Sequence, residues 1–111
     1  MALNIEAVND IVLQYISTVK NAMPIDKVYL YGSYAKGTQK EESDVDLCFF
    51  SHAFEERRSF DVLTDLFYLK TKYDKLVLIE PNAFPTSELY NDNPFVKEIL
   101  RTGKEIQLDN L

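Results

Sequence analysis

Cysteine is nearly absent from this sequence. Cys48 is the only one in 111 residues, so no internal disulfide can form and a secreted, cross-linked scaffold is excluded. Tryptophan is missing altogether, but seven Tyr and seven Phe supply large side chains for a small core. Basic residues are scarce: twelve Lys and Arg face eighteen Asp and Glu, for a formal net charge of −6, and Arg57-Arg58 is the only adjacent basic pair. Nonspecific binding to DNA or RNA draws most of its free energy from Lys and Arg neutralising phosphates, so a long nucleic-acid substrate is disfavoured. No stretch approaches the roughly 18 apolar residues of a membrane span, and residues 1–10 lack the basic start and apolar run of a signal peptide. The expectation is one cytoplasmic domain over residues 1–111. His52 is the lone histidine and reads as a loop residue. Cys48, inside a strand-like run, reads as a buried, inert thiol.

Against these absences stands a regular alternation of elements. Ile5, Val8, Ile11, Val12, Tyr15, Ile16 and Val19 share one helical face, predicting a helix over about 4–22 with Asn4 as N-cap and Pro24 beyond its end. Lys27–Tyr31 is β-branched and aromatic and stops at Gly32, the pattern of a strand. Ser33–Lys36 fits one helical turn closed by Gly37, and the polar residues 37–43 fit a loop. Asp44–Phe50 predicts a second strand, with Asp44, Asp46 and Cys48 on one face and Val45, Leu47 and Phe49 on the other. A second long helix is expected over 55–72, with Phe60, Leu63, Phe67 and Lys70 sharing a face and Val62, Leu66 and Leu69 beside it. The apolar run Leu76–Ile79 predicts a third strand, and residues 81–93, with two prolines and three asparagines, predict irregular structure. Asn93 as N-cap, Pro94 at the first helical position and Gly103 past the end mark a final helix. The fold class is α+β, with helices against one small mixed sheet of three to four strands.

Chemistry concentrates in residues 32–46. Gly32-Ser33 directly after a strand offers bare backbone N–H groups and a hydroxyl, the kind of site that cradles a phosphate. Asp44 and Asp46 project from one strand face, and two like charges so close disfavour double ionisation unless a cation sits between them. Magnesium takes oxygen ligands and keeps waters or substrate phosphates in the rest of its shell. A Gly-Ser turn alone is usually only a turn, and an Asp-x-Asp is usually solvated. Their conjunction at fixed spacing, with strands on both sides, describes a seat for a metal and a triphosphate.

Gly32-Ser33, ten residues, then Asp44-Val45-Asp46 resembles the signature of the DNA polymerase β nucleotidyltransferase superfamily. Gly37 and Ser43 also match its usual form, and the stretch from Asn93 through Ile99-Leu100 to Gly103 is similar to the small minimal nucleotidyltransferase branch. The resemblance covers most of the chain. It implies a polymerase β-like fold in which Gly32 and Ser33 contact the β- and γ-phosphates, with Lys36 as a further phosphate contact or a solvated surface lysine. It implies that Asp44 and Asp46 hold magnesium, and that AMP passes from ATP to a hydroxyl. The acceptor implied is a tyrosine of an all-helical HEPN-type toxin partner, with this chain as antitoxin. Family members that do chemistry carry a third carboxylate on the next strand. Here the alternatives are Glu80, Asp74 or none, since alignment with the family puts that position near Val77. Glu80 is preferred for its reach, although strand parity groups it with Leu76 and Leu78 on a face expected to be buried. If the third carboxylate is missing, the chain is a nucleotide-binding or partner-binding module instead of an enzyme.

Overall fold

Val8, Ile11, Val12, Tyr15, Ile16 and Val19 are all buried, and their three- and four-residue spacing builds the first helix, α1 (Ile5–Ala22). A computed structural model describes residues 5–40, 44–75, 77–109 and 111, so the expected cap at Asn4 and the positions Ser43 and Leu76 lie outside the described residues. After α1 come β1 (Lys27–Tyr31), α2 (Ser33–Lys36), β2 (Val45–Ser51), α3 (Ser59–Lys70), β3 (Ile79–Pro85), α4 (Pro94–Thr102) and β4 (Lys104–Ile106). Short 3-10 turns occupy His52–Phe54, Thr71–Tyr73 and Thr86–Leu89.

The sheet has the order β3-β2-β1-β4. β1 pairs antiparallel with β2 and β4, whereas β2 and β3 run parallel, joined through α3. One face of the sheet presents Val28, Val45, Leu47, Phe49 and Ile79 to α1 and α3, forming the main core. There the Tyr15 hydroxyl donates to the Leu66 carbonyl at 2.8 Å and ties α1 to α3. The other face carries a smaller core, in which Cys48 and Phe50 pack under Val96 and Ile99 of α4. The alternation expected for β2 is therefore what separates the two cores. Cys48 is buried in the smaller one, and burial pushes its thiol well above the ordinary range.

Three expectations are corrected. The second helix is shorter than 55–72, and its inward side carries Val62, Leu66 and Lys70 while Phe60 is 75% exposed and Phe67 39%. The third strand begins at Ile79, not at the run before it, where Leu78 is half exposed, and it continues through residues expected to be irregular. Pro81 and Pro85 can sit in this strand because it lies at the sheet edge with one neighbour. A fourth strand, β4, falls within the expected three to four but follows Gly103, at residues for which no element was expected. The final helix matches expectation: Asn93 Oδ1 accepts from the N–H groups of Phe95 at 3.0 Å and Val96 at 3.3 Å.

Candidate active site

The chain leaves β1 through Gly32 at φ 72°, ψ −151°, a region essentially reserved for glycine. A Cβ built on Gly32 would run into Oδ2 of Asp46, so the absence of a side chain here lets the two strands' functional ends approach. Ser33–Lys36 then turn once, with the Lys36 N–H on the Gly32 carbonyl at 3.1 Å. Gly37, left-handed at φ 72°, closes the turn as expected. No side chain caps the turn, and Ser33 is half-buried beside it.

Strand pairing aligns Tyr31 with Asp46 and Asp46 with Glu80. Directly paired residues on neighbouring strands share a face, so Tyr31, Asp46 and Glu80 form one row across β1, β2 and β3. Asp44 immediately precedes β2, close enough for its charge to act on Asp46. Asp46 feels this crowding: burial raises its carboxyl above the ordinary range, and the charges of Asp44 and then Glu80 raise it further. Glu80 is itself half-buried, on a row that is polar and not the apolar face expected for it. Val77, where the family alignment pointed, precedes β3 and packs toward the main core.

The other expected residues lie farther from this row. Asp74 pairs with Lys70 at 3.1 Å at the end of α3, and after burial its charge is the second influence raising the Tyr15 hydroxyl. That is the side of the sheet facing α1 and α3, away from Asp46. Lys36 is exposed at the end of α2. Its charge reaches Glu98 of α4, whose carboxyl is held low first by the hydrogen bond from Arg101 and more weakly by Lys36. His52 opens a 3-10 turn at the opposite end of β2, with Nδ1 3.0 Å from Asp26 Oδ2, consistent with a loop role.

Sequence reading missed Tyr31 and Asn82. Asn82 Nδ2 donates to the Tyr31 hydroxyl at 3.2 Å, crossing over β2. Burial raises that hydroxyl, the Asn82 bond opposes the rise, and the negative charges of Asp46 and Glu80 add to it. Tyr31 stands immediately before Gly32 at a strand end, which was a usable signal. Asn82 lies in a stretch read as irregular and gave none.

The donor set on this edge is oxygen only, as a hard cation requires. Among the described residues no three His, Cys, Asp or Glu side chains form a ready-made metal cage. Magnesium does not need one, because it binds through one or two carboxylates with substrate phosphates and waters completing its shell. The raised Asp46 carboxyl fits such an ion, and its close approach to Gly32 sets the Gly-Ser turn beside it for a phosphate.

An acidic strand end beside a glycine turn, on a four-stranded mixed sheet with helices against it, is the arrangement of this α+β domain. Residues 14–110 match the family described as Polymerase beta, Nucleotidyltransferase, and the chain belongs to that family. The fold is similar to that of a candidate nucleotidyltransferase from Sulfolobus solfataricus, with a TM-score of 0.68 at 16% identity, covering 99% of this chain and 94% of that one. It is also similar to a toxin-antitoxin structure with AMP-PNP, at TM-score 0.60 and 18% identity over 88% of this chain and 75% of that one. A mutant form of the toxin-antitoxin MntA-HpeT gives a TM-score of 0.57 at 15% identity, over 87% and 73% of the two chains. Among curated protein sequences none matches. No helix among the described residues is long and apolar enough to cross a membrane.

Proposed function

We propose that this nucleotidyltransferase moves AMP from ATP, with magnesium, to a hydroxyl on a partner protein of HEPN type, and so acts as an antitoxin. The observation that supports the chemistry is the register of Asp46 with Glu80, which sets Glu80 beside Asp46 as the candidate third carboxylate, three residues past the position that family alignment indicates. Asp44 and Asp46 would hold magnesium, which when bound would neutralise the triphosphate and activate the acceptor oxygen. Gly32 N–H and the Ser33 hydroxyl would hold the β- and γ-phosphates, with exposed Lys36 as a further cationic contact. The acceptor oxygen forms its bond to the α-phosphorus as the bond to the bridging oxygen breaks. Pyrophosphate leaves, and Glu80 takes the acceptor proton. The partner is supported by two of the similar structures, which are toxin-antitoxin structures, one of them with AMP-PNP.

The decisive experiment incubates the protein with magnesium, ATP labelled in its α-phosphate, and the product of the neighbouring gene. Label on that product, at a hydroxyl-bearing side chain, is the expected result. If label reaches neither that product nor any other acceptor while Mg·ATP still binds, the chain is a nucleotide-binding module.

A further inference from the structure

Phe95 is the second residue of α4 and remains 43% exposed, although Val96 and Ile99 behind it are buried. Its position is nevertheless fixed. Its N–H is held by the Asn93 cap, and its ring stands perpendicular to Tyr31 at a centroid distance of 5.7 Å. Phe84 is a second ring neighbour at 5.8 Å, and the Tyr31 ring is itself anchored by Asn82. The result is an apolar ring held by two aromatic neighbours and still partly open to solvent.

Its location gives this ring a use. Tyr31 and Phe84 belong to the sheet face that carries Asp46 and Glu80, so Phe95 lies on the side of the carboxylate row. Tyr31 is also the residue directly before Gly32. The most exposed aromatics on α3, Phe60 and Tyr68, belong to a helix on the opposite face of the sheet and have no such access.

We propose that Phe95 is the platform on which the base of the bound nucleotide stacks, one step along the sheet face from the phosphate seat. The inference rests on the reading of Gly32, Ser33, Asp44 and Asp46 as that seat. Every nucleobase presents a π-face, and a phenyl ring carries no hydrogen-bonding group. The ring therefore adds affinity without choosing between adenine and guanine, and ATP and GTP should benefit alike.

Calorimetric titrations of wild type, Phe95→Ala, Phe95→Leu and Phe95→Tyr with Mg·ATP and with Mg·tripolyphosphate test this. Loss of a stacked aromatic should weaken Mg·ATP roughly tenfold or more in the Ala and Leu variants. Tripolyphosphate, which has no base, should bind all four proteins alike, and Tyr should keep the ATP affinity. Phe95→Leu retains apolar bulk and decides the matter should the Ala variant fold poorly. Unchanged ATP affinity, or a parallel loss of both ligands, overturns the proposal. So does a wild type that binds the two ligands equally tightly, which would leave the phosphate seat standing. A wild type that binds neither removes the seat and this inference together.

Discussion

Asp46 Oδ2 occupies the space into which any side chain on residue 32 would project, so Gly32 and Asp46 behave as one unit bridging β1 and β2. Gly32→Ala should therefore displace a functional carboxylate as well as strain the backbone. At φ 72°, ψ −151° the strain alone costs about 1 to 3 kcal/mol. The expected outcome is a lower melting temperature together with loss of Mg·ATP binding, read by thermal denaturation and calorimetry. An alanine variant that binds as wild type would show that Asp46 need not stay where it is.

A second expectation concerns pH. Folding raises the Asp46 carboxyl, through burial first and the charges of Asp44 and Glu80 second. A carboxyl raised on folding adds stability below its unfolded pKa and withdraws it as pH climbs through the folded value. Asp46→Asn should therefore raise the melting temperature of the metal-free protein at neutral pH, and the gain should vanish in acid. Magnesium should stabilise wild type but not the variant carrying both Asp44→Asn and Asp46→Asn. Melting curves across pH, with and without magnesium, check both parts; a neutral-pH loss in the single variant would contradict the first.

The two candidates for the third carboxylate should separate cleanly. Glu80→Gln is expected to cut turnover on the order of 10² to 10⁴ while leaving the fold intact, since it keeps size and loses only the base. Asp74→Asn should leave turnover alone and lower stability by on the order of 1 kcal/mol, because the Lys70 ammonium, 8% exposed, loses its half-exposed partner. Turnover and urea denaturation of the two variants form the test. The reverse pattern would move the catalytic role to Asp74.

Much of this fold could be read directly from residue order. α1, β1, the turn at Ser33–Lys36, β2 and α4 each announce themselves through periodicity, a cap or a glycine stop, all of which are local signals. β3 did not, because its identity comes from pairing with a distant strand. Leu78 supplied a false apolar signal, and Pro81, Asn82 and Pro85 read as breakers. Likewise, nothing near Glu80 in sequence indicates that it stands beside Asp46; only the parallel register sets that. On α3, Phe60 and Phe67 looked like core residues by type. The helix turns its smaller side chains Val62 and Leu66 inward instead, where Tyr15 already fills the space. β4 is three residues long, two of them charged, and its strand character comes from pairing with β1 alone.

The prolines of β3 also limit how this sheet can grow. The Val45 N–H bonds to the Leu78 carbonyl at 2.8 Å, so residues of Leu78's parity point their backbone groups toward β2, and those at 79, 81, 83 and 85 point outward. Two of these four outward positions are Pro81 and Pro85, which have no N–H to donate. An incoming strand would find donors only at Ile79 and Ala83, too few for a continuous ladder. That border therefore resists fibril-like stacking at the place where an uncovered strand would otherwise template it.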